Sequence, residues 1–242
     1  MALLALAGAC STSREVTVLV RLPNLDGIEA PVPGLPVVVL SYDRDSVLDA
    51  LEARAATPRP HAAELDSLFR AFQTPYLALR QASRRFEQYR DTLQALRSAL
   101  DTIARGDPAY QPRFQLFAQL SDSLHRAEQA RDRARTELEE ARKTFVPLSD
   151  SLRLEVRRWE ATTFAGYDTI VAHLSDRLGR EAVADTTDAD GVATITLGPG
   201  RRWIYARAWD VEDPNFEWYW NVPLTADTLT LDSHSGARVP IY

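Results

Sequence analysis

Leu65, Phe72, Leu79, Phe86, Leu93 and Leu100 stand seven residues apart, and Leu68, Pro75, Ala82, Tyr89, Leu96 and Ile103 follow each of them by three. An apolar a/d seam held this long has one economical way to be buried, a long helix lying against another helix. Gly106-Asp107-Pro108 stops the run. Beyond it Phe117, Leu124, Arg131, Leu138, Phe145, Leu152 and Trp159 repeat the spacing, with Leu120, Ala127, Ala134, Ala141 and Leu148 three residues further on. Two such arms joined by a short turn must run antiparallel. Their residue numbers then sum to about 217 at each facing pair, which sets Leu93 near Leu124 and Phe86 near Arg131. The small residues Ala127 to Ala141 imply close approach at mid-hairpin. Arg131 is the misfit of the seam and is expected to carry its charge outward. Pro75 is expected to kink its arm or restart it, with Thr74 as cap, and Pro147 to kink the other.

The flanks carry a different period. Glu15–Leu22 alternates, Val16, Val18 and Val20 pointing one way and Thr17, Leu19 and Arg21 the other, as a half-buried strand does. Pro23–Pro33 is turn-rich, and Val37–Tyr42 is nearly all apolar, as a fully covered strand would be. After the helices, Val192–Leu197, Trp203–Trp209, Glu217–Val222, Thr228–Leu231 and Arg238–Tyr242 read as further strands. The chain is therefore expected to be α+β: an antiparallel β-sandwich of about seven strands, with a coiled-coil hairpin inserted between its second and third strands. In residue numbers, 14–45 and 181–242 form the split sandwich. Residues 46–180 are the helical insertion, with arms at about 61–105 and 112–160 and a base helix at about 162–178. In that last helix Phe164, Tyr167, Ile170, Val171, Leu174 and Leu178 share one face, expected against the sandwich, and Gly179 ends it.

Thr187-Asp188-Ala189-Asp190-Gly191, the alternating strand after it, Pro199-Gly200 and then Trp203-Ile204-Tyr205-Ala206-Arg207 resemble the carboxypeptidase regulatory-like, or transthyretin-like, domain. Val16–Leu22 and Val37–Tyr42 resemble that family's preceding strands. The resemblance spans about 90 residues in two pieces. It implies a small β module, in most of its family non-catalytic, that serves as an accessory or surface element.

Met1–Ala9 is apolar and ends in small residues before Cys10-Ser11-Thr12-Ser13. This resembles the tail of a bacterial lipoprotein signal peptide, with Cys10 as the lipidation site and residues 1–13 as signal remnant and lipidation region. It implies a membrane anchor in the bacterial envelope, facing periplasm or cell surface. The basic residues of such a leader would lie upstream of Met1. The other reading is an apolar N-terminus that happens to hold a cysteine. Cys10 is the one cysteine, so no intrachain disulfide can form.

The charge balance excludes one class of partner. The net charge is −6, residues 61–160 hold 17 basic against 15 acidic side chains, and the rest hold 11 against 19. A nucleic-acid binder would carry a basic patch.

Candidate sites are few. Asp185, Asp188 and Asp190 before Gly191 offer calcium-type oxygens, but an EF-hand register puts Thr186 and Leu197 where ligands belong. They read as a turn, and no metal or other cofactor is expected. Arg105-Gly106-Asp107 spells an adhesion tripeptide where a helix must stop. His61, His125, His173 and His234 have no ligand spacing, and no nucleophile motif or phosphate loop is present. Trp203, Tyr205, Trp209, Trp218 and Trp220 crowd one region and could form a sugar or partner surface, or could lie under an inserted helix. The expectation is a non-catalytic envelope lipoprotein whose hairpin is a spacer or protein-binding arm. A carbohydrate- or peptidoglycan-binding module and a membrane-fusion-type adaptor are the alternatives. An adaptor would need an unpaired apolar or a shape-specific hairpin tip.

Overall fold

The computed structural model describes residues 13–241, so Cys10 lies outside the described residues. The chain divides into two compact units, one of residues up to Pro60 and from Glu155 on, the other of His61–Leu154.

The first unit is built on two sheets. In one, β1 (Arg14–Pro23) pairs antiparallel with β2 (Glu29–Pro31) and β5 (Val192–Leu197), and parallel with β8 (Thr228–Leu231). The other runs β4 (Val183–Thr186), β3 (Pro36–Leu40), β6 (Trp203–Trp209), β7 (Phe216–Pro223) and β9 (Ala237–Pro240), all antiparallel. The inward rows of both sheets form one hydrophobic cluster. Val16, Val18, Val20, Ala193, Ile195 and Leu231 come from the first sheet, and Val37, Val39, Ile204, Ala206 and Trp220 from the second. The period-2 alternation explains it: each inward β-branched side chain removed from water stabilises the fold by about 1.5–3 kcal/mol.

Nine strands replace the expected seven among the described residues. The two unforeseen ones leave little trace in sequence for a physical reason. β2 is three residues long and extends the edge of β1 that β5 occupies: Val20 N–H donates to Gly191 O at 2.8 Å and Val20 O accepts from Val32 N–H at 3.0 Å. β4 is an edge strand with no buried side chain, so it never needs an apolar row. The helical insertion consequently falls between β3 and β4.

Three helices belong wholly or partly to this unit. α1 (Arg44–Glu52) begins two residues before the expected start, because Asp43 caps it by accepting Asp45 N–H at 3.1 Å and Ser46 N–H at 3.4 Å. α4 (Tyr167–Leu178) ends at Gly179, whose φ is +59°. It buries no residue fully. Its neighbour is α1, with Tyr167 Oη 3.0 Å from Tyr42 Oη, rather than the sheet face alone. The last residues of α3 (Tyr110–Thr163) also lie here, where Trp159 Nε1 donates to Thr57 O at 2.9 Å and Arg59 pairs with Glu160.

The second unit holds α2 (Ala62–Thr102) and most of α3. The two helices are antiparallel with the register expected. The Phe72 and Phe145 rings stack at 4.1 Å and 13°, and the Arg131 guanidinium lies 4.1 Å from the centre of the Phe86 ring. Arg131 thus escapes the seam by covering an aromatic face while pairing with Asp132 and Glu128, not by pointing wholly into water. α2 does not restart at Pro75; it is one helix throughout. A single missing hydrogen bond is outweighed by the flanking seam contacts, among them Phe69 against Phe145 at 5.1 Å.

α3 also runs on as one helix through Pro147, and past Phe145 it leaves the heptad seam. Leu148 was expected on the seam and is 45% exposed, while Ser149 is 1% exposed. After Phe145 the buried positions are Ser149, half-buried Leu152, then Val156. This 4-3-4 spacing is that of an undistorted 3.6-residue helix rather than of a heptad coil.

Candidate functional site

The outer face of the second sheet is where this unit concentrates polar chemistry. Register decides which side chains reach it. Tyr205, Arg207 and Trp209 on β6 stand opposite Asn221, Tyr219 and Glu217 on β7, so these six share the outer face. Ala206 and Ala208 stand opposite Trp220 and Trp218, which therefore face the core.

The five aromatics singled out in the sequence are accordingly not one surface. Trp203 and Tyr205 are half-buried on the outer side, and Trp209 is 70% exposed. Trp220 is 1% exposed, with Nε1 donating to Asp232 O at 3.1 Å, and Trp218 packs against the same core. The β7 strand has large residues on both faces, so alternation could not separate them.

Above the outer face, the turn Ser41–Asp43 and the first turn of α1 set down a polar network that the sequence did not reveal. Asp43 Oδ1 accepts Asn221 Nδ2–H at 2.6 Å and Asp43 Oδ2 accepts Ser46 Oγ–H at 2.8 Å. Arg44 donates from Nη1 to Tyr219 Oη at 3.1 Å, and Tyr219 in turn donates to Asp45. The Arg44 guanidinium lies 4.9 Å from the centre of the Tyr205 ring and 5.9 Å from those of Tyr167 and Tyr219. One cation is thus held by three phenol rings from β6, β7 and α4. The signal available was Asp43, three residues before Ser46, in the position of a helix cap.

A recess of about 620 Å³ opens beside this network, lined by Leu48, Asp49, Glu52, Phe164 and Val239 along with the network residues. Two of its arginines are neutralised locally, Arg207 by the buried Glu217 and Arg59 by Glu160. Burial and the bond to Asp45 push the Tyr219 phenol well above its usual value, and burial and Tyr167 do the same to Tyr42. Burial opposes the charge of Arg44, but Tyr219 and Tyr205 outweigh it and hold the guanidinium charged. These groups keep the protonation they already have at neutral pH, so the network suits binding and bracing more than proton transfer.

The Asp188 turn is also accounted for. Its Oδ1 accepts the N–H groups of Asp190 and Val192, each at 2.9 Å, and Gly191 takes φ +74°. Asp185 Oδ2 accepts Thr194 N–H at 3.0 Å. The neighbouring Thr187 is buried and ties two connections together, donating to Val32 O at 2.7 Å and accepting Leu35 N–H at 2.8 Å.

In the hairpin unit the noteworthy surface is apolar. Near the turn between α2 and α3, Phe114 is 49% exposed, Leu116 is also exposed, and Tyr110 stacks on Phe114 at 6.2 Å. The Arg105-Gly106-Asp107 tripeptide lies in that turn, and Asp107 Oδ1 accepts Ala109 N–H at 2.7 Å. Val146, Leu148 and Leu154 are exposed further along α3. Among the described residues no helix is long and apolar enough to cross a membrane. The chain matches no family model, no curated protein and no solved structure.

Proposed function

We propose that this chain is a non-catalytic, lipid-anchored protein of the bacterial envelope, and that its helical hairpin is a protein-interaction arm. The observation that carries the reading is the exposed apolar tip. A helical pair that closes its seam with Phe72, Leu93 and Phe145 has no folding need for Phe114, Leu116 and Tyr110 at its turn. Exposed aromatic residues of this kind are what a protein partner buries first. The resemblance of the β unit to transthyretin-like accessory modules and the position of Cys10 support the envelope address. An apolar tip also favours the adaptor alternative, in which the tip meets another envelope protein end-on. The sugar-binding alternative loses ground because Trp218 and Trp220 belong to the core.

The test is cross-linking in the native host from a photoreactive residue at exposed position 111, one helical turn before Phe114, with Cys10→Ser fractionated alongside. A discrete cross-linked protein, lost in Phe114→Ser/Leu116→Ser, is expected, and Cys10→Ser should leave the membrane fraction. No tip-dependent adduct would remove the arm; unchanged fractionation would remove the anchor.

A further inference from the structure

Arg202 immediately precedes β6 and continues the buried alternation of Ile204, Ala206 and Ala208 beyond the strand's first residue. It is only 6% exposed, and its Nε and Nη1 are buried without a hydrogen-bond partner. A guanidinium cannot shed its proton to relieve this. The charge that acts on it is another cation, Arg180. The Arg180 guanidinium lies over Gly200, two residues before Arg202, so closely that a Cβ at Gly200 would overlap it. Gly200 itself takes φ +122°, a conformation that also favours glycine. Ser41, which follows the Leu40 partner of Trp203, reaches the Arg180 carbonyl at 3.4 Å and fixes that segment at the end of the sheet. Neither Arg180 nor Arg202 is part of an ion pair among the described residues.

Burial, and then the charge of Arg180, push Arg202 below the usual arginine value. A buried cation with a second, half-buried cation beside it and no counter-charge is costly, and buried charges in native proteins are paired. The missing charge is not in residues 1–12, which contain no Asp or Glu. We propose that Arg180 and Arg202 form a binding site for a phosphate-type oxyanion at the end of the β unit where β1 begins. Planar guanidinium forks match the spacing of phosphate oxygens, and two of them can grip one group from two sides. The location suggests where the phosphate would come from. Arg14 opens β1 opposite Leu197, three residues before Gly200, and Cys10 is four residues upstream of Arg14. If the chain is anchored in the envelope as proposed above, this end would sit at a phospholipid headgroup; a free phosphate would use the same forks.

The experiment uses the full chain carrying Cys10→Ser, so that no lipid on the protein enters the result. Thermal melts in sodium phosphate are compared with melts in sodium chloride of equal ionic strength. Phosphate should raise Tm by about 2–4 °C. Arg202→Met and Arg180→Met should each abolish the rise, and Arg201→Met, an exposed neighbour, should keep it. Arg202→Met removes an unpaired buried charge, so its melting point in chloride should equal or exceed the parent's. If that variant fails to fold, Arg180→Met carries the comparison. Sedimentation with phosphatidylcholine vesicles, with and without phosphatidylglycerol, separates the sources. Binding to the anionic vesicles that falls at least about tenfold in Arg180→Met identifies a headgroup, whereas a phosphate response without vesicle binding identifies a free oxyanion. No phosphate response and no vesicle binding, or a response equal in all three variants, would overturn the site.

Discussion

Asp43 carries more than one role, and its environment makes the consequences measurable. It caps α1 and also receives Asn221, so a single carboxylate joins helix and sheet. Burial works against its charge, but the bonds from Ser46, Asn221 and the N–H groups of Asp45 and Ser46 outweigh it and hold the carboxyl below its usual value. A depressed carboxyl stabilises the fold at pH values above its unfolded pKa of about 3.9, and that contribution disappears as pH falls through the lower folded value. Asp43→Ala should therefore cost about 1–3 kcal/mol at neutral pH, a lost cap plus a stranded Asn221 amide. In urea titrations the gap between parent and variant should hold down to about pH 5 and narrow below about pH 4. A gap independent of pH would mean that the carboxylate charge is not what binds. At the same scale, Gly191 shows what a sequence reader can recover. Its turn motif was legible, but the reason no side chain fits was not: a Cβ there would meet Val20 O at 2.6 Å, a contact made across strands.

Among the elements, the helices were legible nearly to their ends and the sheets only where they bury a row. The heptad spacing located both arms, their antiparallel sense and the facing of Phe86 with Arg131. It failed at Leu148 because a heptad count assumes continued supercoiling, whereas α3 past Phe145 follows its own 3.6 period. It also missed the buried Phe69, which lies one place outside the a/d template. β2 and β4 were invisible because neither contributes a buried apolar row, and Trp218 and Trp220 were misplaced because aromatics occupy adjacent positions on β7. The polar network around Arg44 was beyond reach, since it joins residues from β6, β7, α1 and α4 that no local pattern connects. Substitution along α3 separates the two registers. Phe145→Ala should cost about 3–5 kcal/mol, because it removes ring contacts to both Phe69 and Phe72. Leu148→Ala should change stability by less than about 0.5 kcal/mol, as at other exposed positions. A large loss at Leu148 in chemical denaturation would restore the strict heptad.

At the scale of the whole molecule, the question is whether a β unit interrupted by 94 residues, His61–Leu154, still folds as one thing. Its core answers in part: every residue of the shared cluster lies before Pro60 or after Glu155. The two chain ends at the interruption are also tied to each other within that unit, by Arg59 with Glu160 and by Trp159 with Thr57. Closing the gap with a short flexible linker should then cost little, because loop-closure entropy grows only with the logarithm of length. The cut must spare the end of α3, since Trp159 and Glu160 are part of the β unit and not of the arm. We therefore expect that replacing His61–Leu154 by a Gly/Ser linker leaves a protein with strand-rich circular dichroism and one cooperative urea transition. A wider excision that also removes Glu155–Trp159 should unfold at lower urea, having lost the Trp159 bond to Thr57 and the buried Val156. If the narrower excision lost cooperative unfolding, the hairpin would be a structural part of the β core and not an arm that a pre-existing module carries.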